Sequence, residues 1–167
     1  MAGAEQIALR PALPTDAPLL AEIFRASVEE LAREDYSEAQ VEAWAATADD
    51  EEAFARKLAG MVTIVALLGG EIVGFASLKG ADVLDMLYVH PAAARRGVGS
   101  ALCDALEKLA AARKAATLTA EASDCAQGFF AGRKYMPQKR NMVFLDDEVL
   151  GTTTMTRNLV APTGPRQ

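Results

Sequence analysis

Histidine and cysteine are nearly absent from this chain of 167 residues, which has one His and two Cys. A metal centre built from imidazole and thiolate has no material here, and Cys103 and Cys125 do not stand in a Cys-x-x-Cys spacing. No metal is expected, and in a reducing compartment no disulfide. Excess positive charge is missing too. The net charge of −6, from 17 Lys and Arg against 23 Asp and Glu, argues against a nucleic-acid binder, which needs a cationic surface to displace counterions from phosphates. No apolar run approaches the ~20 residues of a membrane helix. The opening MAGAEQIALRP has neither the basic nor the apolar region of an export signal. These absences predict a cytoplasmic protein with no membrane segment.

Aromatic residues are scarce, at 6%, and Trp44 is the single tryptophan. Alanine occupies 34 positions, so the apolar 51% reads as helix surface more than aromatic cluster. A chain of this length makes one domain with a sizeable core. We place it at residues 1–160, with 161–167, which hold two prolines and a glycine, as a loose tail. The charge is unevenly spread. From Glu22 to Glu52 eleven acidic residues meet only Arg25 and Arg33, a local net of −9. From Arg95 to Arg140 nine basic residues meet four acidic ones, a local net of +5.

A short strand at Ile7 to Arg10 leads into Pro14-Thr15-Asp16, where Thr15 or Asp16 can cap a helix that Pro18 helps to start. Leu20, Ile23, Phe24, Ser27, Val28 and Leu31 follow at helical spacing and predict one buried stripe. Ser37-Glu38-Ala39-Gln40 has the form of a capping box and opens a second helix, and a third begins after Asp49 and stops at Gly60. Met61 to Leu68 and Glu71 to Leu78 read as strands around a Gly69-Gly70 hairpin. Val83 to Val89 is a further strand and Val98 to Lys114 a helix. Then come a strand at Ala116 to Glu121, a helix at Asp124 to Arg133, and strands at Gln138 to Leu145 and Gly151 to Leu159. This order predicts a mixed sheet with helices packed on it, an α/β or α+β architecture.

The chemistry is concentrated after Val89. His90-Pro91 ends the strand, Ala92 to Arg96 form a loop, and Gly97-Val98-Gly99-Ser100 opens the next helix. A strand end, a glycine-containing loop and a helix start leave a row of unpaired backbone N–H groups at the positive end of a helix dipole. Gly97 and Gly99 let ligand oxygens approach the main chain, and Arg95 and Arg96 add charge. The pattern points to a phosphate site; its plain alternative is a loop-to-helix junction with solvated arginines. No Gly-Lys-Ser/Thr marks a nucleotide P-loop, and Leu102 stands where a dinucleotide fingerprint has its third glycine.

From Ile7 to about Leu159 the chain resembles the GNAT superfamily of acyl-CoA-dependent N-acetyltransferases. The most specific part is Leu87-Tyr88-Val89-His90-Pro91 placed before Arg95-Arg96-Gly97-Val98-Gly99-Ser100-Ala101-Leu102. The resemblance implies a mostly antiparallel central sheet of about seven strands with helices on both faces. It also implies acetyl-CoA as co-substrate. Leu87, Tyr88 and Val89 would meet the pantetheine and thioester, and Arg95, Arg96, Gly97, Val98, Gly99, Ser100 and Ala101 the pyrophosphate. The family pattern usually reads Gln/Arg-x-x-Gly-x-Gly/Ala, and Ala94 stands at its first position here. The implied acceptor is a primary amine of a small molecule or peptide, and homodimers are common in the family. The basic half of the chain suits a polyanionic cofactor and the acidic half a cationic amine.

Amine acetylation needs a group that takes a proton. Asp85 is the leading base: strand alternation sets it beside Val83, Leu87 and Val89 unless a bulge resets the pattern. Its alternative role is accepting backbone hydrogen bonds where the sheet splays. The acid tyrosine of the family falls at Phe130, which is assigned to the cofactor wall, while Ser123 and Lys134 replace the pattern's asparagine and glycine. Tyr135 and Cys125 are the other catalytic candidates, each with plain packing as its alternative. Tyr36-Ser37-Glu38-Ala39-Gln40-Val41-Glu42-Ala43-Trp44 resembles a segment of small bacterial members, so Tyr36 and Trp44 are read as an acceptor wall. The missing hydroxyl at Phe130 motivates a second reading, a CoA-binding regulatory or interaction module without catalysis.

Overall fold

Gly69 and Gly70 take φ values of +58° and +84°, the left-handed pair that a two-residue hairpin turn requires. They join β2 (Val62–Leu68) to β3 (Glu71–Lys79). The computed structural model of the protein describes residues 6–159; the loose tail expected at 161–167 lies outside them. β1 (Ile7–Pro11) pairs with β2 and β4 (Val83–Val89) with β3, both antiparallel. β5 (Thr117–Ser123) pairs antiparallel with β7 (Glu148–Asn158), which pairs in turn with β6 (Met136–Leu145). The order is β1-β2-β3-β4-β5-β7-β6, and β4–β5 is the parallel contact. The expected mixed, mostly antiparallel sheet of seven strands is what the chain forms.

Helices cover both faces. α1 (Ala17–Leu31), α2 (Glu38–Ala45) and α3 (Glu51–Ala59) bury Leu20, Phe24, Val41 and Phe54 against Val65, Phe75 and Met86 on one face. On the other, α4 (Val98–Ala112) sets Val98, Leu102 and Leu106 on Leu78, Leu84 and Leu118, and the short α5 (Gln127–Gly132) adds Phe130. Among the described residues no helix is long and apolar enough to cross a membrane.

The local signals are satisfied unevenly. Ser37 Oγ accepts from the Gln40 N–H at 3.1 Å and Gln40 Oε1 from the Ser37 N–H at 2.8 Å, a closed capping box. Asp50 Oδ1 caps α3 by accepting from Ala53 at 3.0 Å. Asp16, expected to cap α1, instead accepts from the Leu13 N–H at 2.7 Å and from Arg10 at 2.9 Å. It closes the turn before the helix, where a tight 3-10 turn at Pro14–Asp16 takes the chain into α1. Leu31 ends the predicted stripe but is 45% exposed, on the wall of a hollow rather than in the core.

Gly74 sets how closely α4 approaches. A Cβ built on it would stand 3.0 Å from the Tyr88 carbonyl oxygen, 3.1 Å from Val98 Cγ1 and 3.4 Å from Leu102 Cδ1. Alanine in a strand is intrinsically better than glycine by about 0.5–1 kcal/mol, but forcing a methyl into a packed site costs about 1–3 kcal/mol. The packing term wins. Gly74→Ala is expected to lower the thermal midpoint by a few degrees, at roughly 2–4 °C per kcal/mol for a domain of this size. An unchanged or raised midpoint in a melting scan would contradict this contact.

Candidate functional site

β4 and β5 pair at two positions only, Val83↔Thr119 and Leu84↔Ala120. Beyond them the strands part, while β4 stays bonded to β3 as far as Val89 and β5 to β7 as far as Ser123. The cause is visible in the ladder on the other side of β4. Leu84 opposes Leu78 and Met86 opposes Ser77, so Asp85 is the extra residue of a β-bulge, which bends and twists its strand.

The bulge also corrects the expected alternation. Asp85 does not share a face with Leu87 and Val89, which pack toward α4; it opens into the same hollow as Met86 and Tyr88, on the α1–α3 side. Past the bulge, the His90 N–H donates to the Val73 carbonyl at 2.8 Å. Val89 and Gly74 therefore form a non-hydrogen-bonded pair, and the main-chain groups of Val89 and, by alternation, Leu87 face the gap. Those of Tyr88 turn to β3, so Tyr88 offers the gap its ring and not its backbone.

Two hollows meet at this gap. One of about 500 Å³ lies under α1–α3, and one of about 310 Å³ runs toward the start of α4. They share Trp44, Leu87, Tyr88, Ser123, Ala126 and Phe130.

The smaller hollow reaches Val89, Gly99, Phe129 and Cys125. His90 Nδ1 accepts from the Ala92 N–H at 3.1 Å, fixing the turn after β4, and the loop then uses left-handed backbone at Arg95 (φ +64°) and Gly97 (φ +83°). The Ala101 N–H makes the first turn-closing bond of α4, to Gly97 at 3.0 Å. The N–H groups of Val98, Gly99 and Ser100 precede it and point out of the helix end. The Val98 side chain is buried under Gly74, so that residue contributes main chain alone. A Cβ on Gly99 would stand 3.5 Å from Phe129 and 3.9 Å from Val89, inside the hollow.

Aromatic rings wall the larger hollow. Tyr88 lies 4.6 Å from Phe24, 5.7 Å from Phe75 and 6.5 Å from Trp44 between ring centroids, and Phe24 lies 5.8 Å from Phe54. Burial pushes the Tyr88 hydroxyl pKa well up, so it stays protonated. Asp85 faces Lys57 Nζ at 3.7 Å across the hollow, with side chains 25% and 57% exposed. An ion pair this wet contributes about 0–1 kcal/mol. An incoming ammonium can replace the lysine at little cost.

Two expected site residues, Tyr36 and Tyr135, take other places, and a third, Cys125, lines the cleft without a reactive thiol. Tyr36 lies behind Trp44, 5.8 Å between ring centroids, and lines neither hollow. Its hydroxyl donates to the Gly151 carbonyl at 2.6 Å and accepts from the Asp124 N–H at 2.8 Å, tying β7 to the turn after β5. Burial raises its pKa. Tyr135 is 1% exposed and donates to Glu107 Oε2 at 2.8 Å, within a cluster of Glu107, Cys103, Arg133 and Arg157 on the α4 face. That network takes its hydroxyl out of the cleft and makes it a core residue. Cys125 does stand on the smaller hollow, with Sγ 3.0 Å from Ser123 Oγ. Packing around the sulfur raises its pKa, and the nearby Asp35 and Asp124 push the same way, so the thiol stays neutral, the reverse of what a nucleophile needs.

Sequence reasoning missed Phe24, Phe54, Lys57 and Glu121, all of which line the larger hollow. The phenylalanines read only as helix core. For Glu121 the period-two pattern Thr117, Thr119, Glu121, Ser123 marks a polar strand face, the one available signal.

A family model described as "Acetyltransferase (GNAT) domain" matches residues 32–150. The chain belongs to the GNAT acetyltransferase family. This GNAT protein is an acyltransferase, and it is similar to the uncharacterized N-acetyltransferase YafP of Escherichia coli (strain K12). The two are 36% identical over 137 residues, 82% of this chain and 86% of that protein. Among solved structures, it is similar to a GCN5-related N-acetyltransferase from Rhodopseudomonas palustris, with a TM-score of 0.92 and 55% identity over 95% of this chain and 99% of that one. The PaiA N-acetyltransferase of Thermoplasma acidophilum, solved with coenzyme A, shares the fold at a TM-score of 0.75 and 18% identity, over 92% of this chain and 99% of that one.

Tyr36→Phe deletes the donor to Gly151 and leaves the Asp124 N–H unpaired, a loss of about 1–3 kcal/mol. A lower urea midpoint at unchanged slope is expected, and an unchanged midpoint would show that the hydroxyl does not hold the two segments.

Proposed function

We propose that this enzyme transfers an acetyl group from acetyl-CoA to a primary amine of a small molecule or peptide, by direct attack at the gap between β4 and β5. What carries the reading is the meeting of the two hollows there, one ending at the start of α4 and the other among aromatic rings and carboxylates. The coenzyme A bound to the Thermoplasma acidophilum relative supports it. Acetyl-CoA supplies an activated acyl group whose thiolate, far less basic than an alkoxide, leaves without an acid. The missing tyrosine hydroxyl at Phe130 is then no obstacle.

The chain's own groups fit that molecule. Leu87 and Val89 present main-chain donors and acceptors to an amide-bearing arm, and the Val89 N–H, or its neighbour's, polarises the acyl carbonyl. The outward N–H groups of Val98, Gly99 and Ser100, with the Arg95-Arg96-Gly97 loop before them, receive a pyrophosphate at the positive end of α4. Phe129 and Phe130 close the hydrophobic side. Across the gap, Asp85 takes the ammonium proton through water, and Trp44 and Tyr88 hold the body of the amine.

Gly99→Glu fills the smaller hollow with bulk and negative charge, so CoA affinity measured by isothermal titration should collapse; unchanged affinity would sink the assigned phosphate site. Wild-type enzyme should release thiol from acetyl-CoA with at least one member of a panel of polyamines, aminoglycosides, amino acids and peptides. With that amine, Asp85→Asn should lower kcat/KM at neutral pH by roughly 10²–10⁴-fold. A flat thiol signal across the panel would count against transfer, and an undiminished Asp85→Asn rate would remove Asp85 as base.

A further inference from the structure

Asp85 has a neighbour. Pairing of β4 with β5 ends at Leu84↔Ala120, so the next residue on each strand, Asp85 and Glu121, flank the point where the gap opens. Both line the larger hollow. We infer that Glu121 is the counter-ion for a second cationic group of the acceptor, which makes the acceptor a short diamine or an amine carrying a cation at similar spacing. This rests on the acetyl-transfer reading above and names its substrate class.

Glu121 is held as an anchor would be. Oε1 accepts from Thr154 Oγ1 at 2.8 Å, and Oε2 accepts from Asn141 Nδ2 at 2.5 Å and from the Thr152 hydroxyl. The donors come from β6 and β7, so two strands of the sheet fix the carboxylate. Partial burial would raise its pKa, but the hydrogen bonds from Thr152, Thr154 and Asn141, with the charge of Lys139, outweigh that and lower it. A carboxylate so stabilised is a weak base and a lasting negative charge. An ionised carboxylate has about four acceptor sites. Three are used here, which leaves one on Oε1 for a ligand donor. Lys139 lies on the solvent-exposed edge strand, where water and salt screen it. Asp85 differs in having only the wet contact with Lys57. The contacts therefore differ: three donors from β6 and β7 fix Glu121, and Asp85 keeps an open face toward the hollow.

Spacing sets the length of the acceptor. Ser123 is the β5 residue among the six that border both hollows, which puts the meeting of amine and acyl group beside the end of β5. It stands two residues beyond Glu121 on the same face of β5, about 6–7 Å along the strand. The nitrogens of an extended four-carbon diamine stand about 6 Å apart. Its hydrocarbon would lie against Trp44 and Tyr88, and the acidic stretch from Glu22 to Glu52 favours the approach of a dication.

The test is titration of 1,4-diaminobutane and of 1-aminobutane into the CoA-saturated protein. Wild type should bind the diamine at least 10-fold more tightly than the monoamine. Glu121→Gln, isosteric and on an exposed position, should erase that preference by weakening the diamine alone, with CoA affinity unchanged. Equal wild-type affinities, or no binding of the diamine, would overturn the inference without any variant. So would a preference that survives Glu121→Gln. If the protein does not bind CoA at all, the transfer reading itself fails and the inference falls with it. If CoA binds and the diamine preference is missing, the inference alone is wrong.

Discussion

The interruption of pairing between β4 and β5 after two positions is the constraint on which the rest of the structure depends. Inside a sheet, parted strands leave backbone donors and acceptors without partners, a state that folding normally avoids. Here three features hold it in place. The Asp85 bulge bends β4 away. Gly74 lets α4 close tightly on the β3–β4 side, so that its first turn comes up to Val89 and Phe129. On the β5 side, the buried Tyr36 hydroxyl bonds β7 and the turn after β5 together. The cost of the unpaired groups is offset by packing elsewhere, and the groups themselves stay available to a ligand.

The electrostatics follow the same division. The −9 stretch runs from within α1 through α2 to the start of α3 and borders both hollows, while the +5 stretch includes the loop and α4 beside the smaller one. Much of the basic charge is consumed inside the fold, however. Arg133 bonds Asp104 and Glu107, and Arg140 bonds Asp124. The specific charges that matter are few. Asp85 and Glu121 stand abreast with different partners, and helix-end N–H groups supply the positive potential across the gap.

Much of this was legible in the sequence because its signals were local. The hairpin at Gly69-Gly70, the capping box at Ser37, the helix opening at Val98 and the glycine-containing loop before it each rest on residues within a few positions of one another. What was illegible was long range. The bulge at Asp85 comes from pairing with β3 and has no local marker, so the face of Asp85 was misassigned. Tyr36 looked like a ligand wall because its hydroxyl partners lie 88 and 115 residues away. Tyr135 is drawn into the core by Glu107, 28 residues before it. Glu121 went unnoticed because the residues that hold it, Asn141, Thr152 and Thr154, come from two later strands.

The gap between β4 and β5 is the proposed seat of the acyl donor. A crystal structure of the protein with coenzyme A tests it most directly. The pantetheine arm should be hydrogen-bonded to the main chain of Leu87 and Val89, with the pyrophosphate on the N–H groups of Val98, Gly99 and Ser100. Density for coenzyme A elsewhere, with the gap empty or closed by direct β4–β5 hydrogen bonds, would contradict it.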